Sequence, residues 1–136
     1  MDNCIFCRII RGEIPSKTVF ENEHFKAMLD IGPASRGHVL IMPKEHYSNL
    51  FEMPEALAAE VLPLAQKIAA GVQKAFQPAG IKLVQNNGAM AGQSVMHFHL
   101  HIIPCYDGTE VGQWNPGSPS GEELDEVLAA IKEALA

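Results

Sequence analysis

From His97 to Ile102 imidazoles and apolar side chains alternate without a break: His97-Phe98-His99-Leu100-His101-Ile102. An extended chain turns successive side chains to opposite faces. The pattern therefore predicts a strand over Met96 to Ile103, with Phe98, Leu100 and Ile102 against a core. His97, His99 and His101 would share the other face, roughly 6.5–7 Å apart in sequence order. Imidazoles are costly to bury without partners, so packing alone explains the pattern poorly. Two chemistries fit it. One is a metal site, since neutral imidazole is a common zinc ligand. The other is nucleophilic catalysis at phosphorus, one ring nitrogen attacking while its neighbours donate to phosphate oxygens. The plain alternative is a solvated polar strand face.

The surrounding chain supplies the rest of a sheet. Residues 4–10 suit one or two helical turns, with Gly12 as a stop. Residues 17–21, 25–30 and 38–42 read as three strands parted by turn-like stretches, 21–23 and 32–37. The main helix is expected over residues 54–76, with Leu57, Val61, Leu64, Ile68 and Val72 on one face. Pro54 suits a first helical position, whereas Pro63 suits no interior, so a kink or a later start is expected. Residues 81–86 read as a fourth strand, 88–92 as a flexible loop and 106–119 as a long loop. Ser120 with Glu123 resembles a capping box ahead of a terminal helix striped by Leu124, Leu128, Ile131 and Leu135. Three strands, a helix, two strands and a helix make an α+β fold with a mostly antiparallel sheet.

Composition narrows the function. A chain of 136 residues suits one domain, and 47% hydrophobic with 19% charged residues is ordinary for a globular protein. A formal net charge of −6 argues against nucleic acid as a partner, though not against a local anion pocket. No apolar run approaches the roughly 18 residues needed to cross a bilayer, so no membrane association is expected. The N-terminus has no basic or long apolar segment, and the cysteine count is odd (Cys4, Cys7 and Cys105). A cytoplasmic protein without a disulfide framework is the expectation. No Walker loop or dinucleotide-binding glycine motif occurs, and nothing in the pattern asks for a redox cofactor or a catalytic metal.

Residues 97–103 match the His-x-His-x-His-x-x signature, x apolar, of the histidine triad (HIT) family. Residues 4–10 (CIFCRII), 12–15 (GEIP), 29–31 (LDI), 37–38 (GH), 42–46 (MPKEH) and 92–95 (GQSV) are similar to it too. The resemblance runs from about Cys4 to Trp114 and is strongest to the nucleotide-binding branch and related bacterial members. It implies the HIT fold, a mostly antiparallel five-stranded sheet with one long helix and a C-terminal helix. Residues 1–136 would then be one HIT domain, with a core of about 4–114 and a loop and helix over about 115–136. It also implies binding of a purine nucleotide (AMP- or GMP-like) and hydrolysis or transfer of nucleotidyl groups from phosphoramidates and related conjugates. Dinucleoside polyphosphates are an alternative substrate class.

By that resemblance His99 is the nucleophile. Its Nε2 attacks the α-phosphorus to form a nucleotidyl-histidine, while a backbone carbonyl on the same strand accepts from Nδ1. His101 donates to the phosphate, His38 supports His101, and His97 completes the catalytic set. Gln93 and Ser94 fall beside phosphate and leaving group, Asn86 on the phosphate side, Asp30 on the ribose hydroxyls and Ile31 in an apolar base slot. Each of these also has a plain reading: Asn86 shapes the turn with Asn87-Gly88, Ser94 ends a strand, Asp30 is a strand-end turn residue.

Cys4-x-x-Cys7 alone is weak evidence for anything, and two small buried thiols in a helical turn would explain it. A redox role wants a βαβ context that is missing here, and a structural zinc needs two more ligands. Some bacterial HIT proteins are similar here and complete the set at His46 and His97. That implies a structural Zn2+ on Cys4, Cys7, His46 and His97. Cys105 carries only a packing reading. The family resemblance further implies a homodimer. Val61, Leu64 and Ile68 either serve that interface or pack on their own sheet, and Trp114 either approaches the partner's site or packs locally. Two further readings stay open: a nucleotide-binding regulatory or scaffold module with little turnover, and a metalloenzyme with His97, His99 and His101 as zinc ligands.

Overall fold

The computed structural model describes residues 3–108 and 116–136. The expectation for Trp114 lies outside the described residues. At the centre is one five-stranded sheet in the order β1-β2-β3-β5-β4, every neighbouring pair antiparallel. Its strands are β1 (Thr18–Glu21), β2 (Phe25–Leu29), β3 (Val39–Pro43), β4 (Gly80–Val84) and β5 (Leu100–Cys105). The helices are α1 (Ile5–Ile10), α2 (Glu55–Ala58), α3 (Val61–Phe76) and α4 (Gly121–Leu135). This is the α+β architecture that the sequence predicts, with the long helix and the terminal helix both present.

Alternation sorts the two faces of the sheet. Phe25, Ala27, Leu29, Val39, Ile41, Leu100 and Ile102 turn toward α3 and α4 and share the main core with Val61, Leu64, Ile68, Val72 and Ile131. Met28, Leu40 and Met42 turn the other way and meet Phe6 and Ile9 of α1 in a second, smaller cluster. His101 stands directly opposite Leu40 on β3 and Val84 on β4, so it belongs to this second face.

The strand expected over 96–103 begins later, at Leu100, and runs on to Cys105. The cause lies in the hydrogen bonds of the residues before it. The Phe98 N–H donates to the Tyr47 carbonyl at 2.7 Å, and His97 Nε2 donates to the Pro43 carbonyl at 2.8 Å. Residues 97–98 are thereby tied to the end of β3 and the segment after it, outside the ladder. Phe98, Leu100 and Ile102 are still buried in the main core, as the alternation requires.

The single helix expected over 54–76 is also divided. Pro54 caps α2 from outside, and α3 starts afresh at Val61. Pro63 is then the third residue of α3, where a backbone N–H has no partner within the helix, so its missing donor costs nothing. The Val61-Leu64-Ile68-Val72 stripe packs on the protein's own sheet, which decides between the two placements open to it. The helix ends at Gln77, in the left-handed region with φ 49°, ahead of Pro78.

Ser120 caps α4, its Oγ accepting from the Glu123 N–H at 3.1 Å. The buried centre of that helix is Val127 and Ile131, with Leu124, Leu128 and Leu135 partly buried beside them. Gly71 allows the close approach of α3 and α4, since a Cβ there would stand 2.6 Å from Leu135 Cδ2. No helix among the described residues is long and apolar enough to cross a membrane.

Candidate active site

On the second face of the sheet a cleft of about 330 Å³ is bounded by α1, by the residues around Asp30 and by β5. Ile5, Phe6, Ile9, Ile14, Met28 and Leu40 make its lining largely apolar, while Asp30, Ser94, His99 and His101 supply polar groups. Ile31 stands at the rim, 73% exposed. This mixture of apolar wall and a few polar groups is what small-molecule sites have.

Four of the buried imidazoles have their protons assigned by partners that can act in only one way. A carbonyl can only accept. His99 Nδ1 therefore donates to the His97 carbonyl at 2.7 Å, which leaves the lone pair on Nε2. An amide N–H can only donate. The Ala34 N–H reaches His38 Nδ1 at 3.0 Å, so the His38 proton sits on Nε2. That Nε2 lies 2.9 Å from His101 Nδ1 and donates to it, which puts the His101 proton on its own Nε2. His97 donates from Nε2 to Pro43, so its Nδ1 presents a lone pair.

Burial keeps these rings neutral. It pushes His38 and His97 down to about 4 and His101 to about 3, and it lowers His99 as well. For His101 the neighbouring His99 and His38 push further the same way. Asp30 pulls against burial at His38 and His99, and its Oδ2 lies 3.7 Å from His38 Nε2. Near neutral pH His99 thus carries an unprotonated Nε2, the form a nucleophile needs.

The remaining predicted residues divide. Asp30 and Ser94 line the cleft with His99 and His101, and Asp30 Oδ1 also accepts from the Gly32 N–H at 2.9 Å. Gln93 is outside the cleft's lining and 4% exposed. Its Oε1 accepts from the Gly88 N–H, and its Nε2 donates to the Ser48 and Val95 carbonyls. The whole amide is thus spent on shaping the loop that carries Ser94. Asn86 lies beyond β4 and donates to the Gly92 carbonyl at 3.4 Å.

His97 departs from the expected common face. Its Nδ1 points away from His99, to Cys4 Sγ at 3.4 Å and Cys7 Sγ at 3.5 Å, and Cys7 Sγ lies 3.3 Å from His46 Nδ1. The three imidazoles of the triad therefore do not converge on one ion. Cys4, Cys7, His46 and His97 do, since their ligand atoms all lie within 4.8 Å of one another. A tetrahedral zinc with its usual bond lengths has S···N edges of about 3.5 Å. The three sulfur–nitrogen separations suit that edge, and the residue types are those zinc favours. Burial, then the neighbouring Cys4 sulfur, push the Cys7 thiol up to about 11. Two thiolates side by side need a cation's field.

Sequence reasoning missed three contributors: the Ala34 amide, the ring of Phe6 and the Ile5–Ile9 wall. A backbone donor leaves no trace in residue identity. The i, i+4 spacing of Ile5 and Ile9 was legible as one face of a helical turn, but not what that face covers.

This is the fold of a histidine triad protein. The HIT domain family matches residues 11–108. The adenosine 5′-monophosphoramidase of Schizosaccharomyces pombe is 43% identical over 137 residues, covering 96% of this chain and 99% of that one. A HIT-like protein from Bartonella henselae superposes with a TM-score of 0.90 at 39% identity, covering 98% of each chain. A Zn-bound histidine triad family protein from Mycobacterium smegmatis gives a TM-score of 0.85 at 31% identity, over 98% of this chain and 94% of that one. The chain belongs to the HIT family.

Proposed function

We propose that this protein is a nucleotidyl hydrolase that cleaves purine nucleoside phosphoramidates, or related nucleotidyl conjugates, at the α-phosphorus through a nucleotidyl-His99 intermediate. The observation that carries the reading is the 2.7 Å bond from His99 Nδ1 to the His97 carbonyl, which leaves Nε2 unprotonated beside the cleft. The phosphoramidase activity named for the fission yeast relative supports the substrate class.

In the first step the Nε2 lone pair forms a bond to phosphorus and the bond to the leaving amine breaks. The departing nitrogen keeps that electron pair and, protonated from solvent at the mouth of the cleft, leaves as the amine, while the His101 Nε2–H donates a hydrogen bond to a phosphate oxygen. Water then attacks phosphorus, gives up its proton to solvent, and frees the nucleoside monophosphate and His99. The His38 N–H on His101 Nδ1 fixes that His101 turns an Nε2–H donor toward the phosphate. Asp30 accepts from the ribose hydroxyls, Ile31 with the apolar wall receives the base, and Ser94 lies on the leaving-group side. Gln93 and Asn86 act by shaping the loop between β4 and β5 around the phosphate.

In the same reading Cys4, Cys7, His46 and His97 hold a structural zinc. When bound, zinc supplies a cross-link between the N-terminal turn and the segments that follow β3 and precede β5. Residues 1–136 act as one domain, and the protein is a homodimer. The β4 edge of the sheet supports that, with the exposed Leu83 beside Leu62 and Ala69 of α3. Three cysteines with no disulfide suit a cytoplasmic location.

The test is release of AMP from adenosine 5′-phosphoramidate by wild type, by His99→Ala, and by wild type in EDTA. Turnover that His99→Ala abolishes and EDTA spares is the expected result. Tight AMP binding without turnover in the wild type would replace the reading with a nucleotide-binding module.

A further inference from the structure

We infer that Phe6 is a positioning residue for the His99 imidazole, and that the Cys4/Cys7/His46/His97 cluster holds Phe6 in place. The inference rests on the reading of His99 as the nucleophile.

The hydrogen bond from Nδ1 to the His97 carbonyl pins one corner of the His99 ring, and the ring could still tip about that bond. Two edge-on contacts restrain it. The His101 ring lies 4.9 Å from it at 69°, and the Phe6 ring 5.0 Å from it at 85°. Phe6 also stands against His97, at 5.8 Å and 78°. It is buried, and its ring touches both the nucleophile and the residue whose carbonyl orients it.

Phe6 depends on α1, and α1 is only six residues long. A helix that short has no stability of its own and must be held by tertiary contacts. The cluster supplies them at both sides of Phe6. Cys4 is the N-cap, its Sγ accepting from the Cys7 N–H at 3.3 Å, and both sulfurs face His97 Nδ1. The same four side chains therefore fix both supports of His99: the Phe6 ring through α1, and the carbonyl through the His97 ring. The cluster reaches the chemistry by packing, with no ligand of its own in the cleft's catalytic end.

Phe6→Leu keeps an apolar side chain in the cleft but removes the flat ring. Cys4→Ser keeps a good helix cap while removing one sulfur ligand, so it tests the cluster apart from the cap. For the metal-loaded protein we expect kcat on adenosine 5′-phosphoramidate to fall about tenfold or more in each, as misplacement of a reacting group predicts, with KM changed much less in Cys4→Ser, whose side chain is outside the cleft's lining. The second readout is the imidazole 15N spectrum of the protein without substrate. Wild type should give separate Nδ1–H and bare Nε2 signals for His99, and both variants should draw the two toward each other. Unchanged His99 signals with unchanged kcat in Phe6→Leu would overturn the inference. So would a loss confined to KM. The hydrolase reading fails by a different result, turnover that survives His99→Ala, and the 15N spectrum decides the role of Phe6 in either case.

Discussion

The backbone N–H of Ala34 donates to His38 Nδ1 at 3.0 Å, and this one bond sets the protons of two buried rings. With Nδ1 occupied, His38 can only donate from Nε2, and His101 can only accept at Nδ1. The loop after β2 thereby dictates which nitrogen of His101 offers a proton to the site.

His38→Phe removes that donor and leaves the His101 tautomer undetermined. We expect kcat for AMP release to fall by about a hundredfold, the scale of losing one hydrogen-bond donor to the charge that develops on the phosphate. His38→Phe and His101→Phe combined should lose much less than the product of the two single losses, because the pair acts as a unit. A steady-state double-mutant cycle measures this, and multiplicative losses would contradict the relay.

Acid should destabilise the protein before its carboxylates titrate. Burial lowers His38 from 6.5 to about 4 in the fold. Below pH 6.5 the unfolded chain therefore binds a proton that the folded protein refuses. Stability from this ring is complete above about pH 6.5 and is lost as pH falls toward 4, by about 3 kcal/mol at most. Urea midpoints at pH 7, 6 and 5 measure it. The slope with pH should be shallower in His38→Phe, and equal slopes would refute the assignment.

Metal analysis of protein purified without chelator should find about one zinc per chain, lost in His46→Ala. A strong chelator should lower the thermal midpoint by more than about 5 °C, the scale expected when a ligand well above its Kd is withdrawn. The chain should stay folded, since the main core does not include the cluster. Scanning calorimetry with and without chelator reads both outcomes.

Gly37, next to His38, has φ +93°, and a Cβ there would meet Phe76 Cδ2 at 2.9 Å and Pro104 Cγ at 3.3 Å. Gly37→Ala should destabilise by about 2–3 kcal/mol through backbone strain and overpacking together. Gly12 has φ +82° with nothing within 4 Å of a Cβ, so Gly12→Ala should lose only about 1 kcal/mol. Denaturant unfolding of the two variants separates strain from contact.

Leu62 is 62% exposed on α3, on the side away from the buried stripe, beside the β4 edge. If two copies join there, Leu62→Glu should convert a dimer to a monomer in sedimentation at micromolar concentration. A wild-type monomer at that concentration would refute the dimer.

Periodicity carried most of the architecture. The alternation of Phe98, Leu100 and Ile102 was enough to bury them, and the 3.6-residue spacing of Val61, Leu64, Ile68 and Val72 was enough to define the face of α3, because burial follows the apolar side chains whatever their neighbours. Pro63 announced an irregularity in the helix, and the structure resolved it into a new start at Val61. The triad pattern likewise singled out His99 and His101 by residue type and spacing. Pattern could not say where His97 points. Its ring leaves the common face because Pro43, Cys4 and Cys7, distant in sequence, offer it an acceptor and two sulfurs at 2.8, 3.4 and 3.5 Å. Nor could it reveal the Ala34 amide or the Phe6 ring, since a backbone donor and an edge-on contact exist only once the chain has folded. Local preference determines which residues are buried and in what element. The direction of a polar ring is decided by hydrogen-bond partners that long-range contacts bring to it.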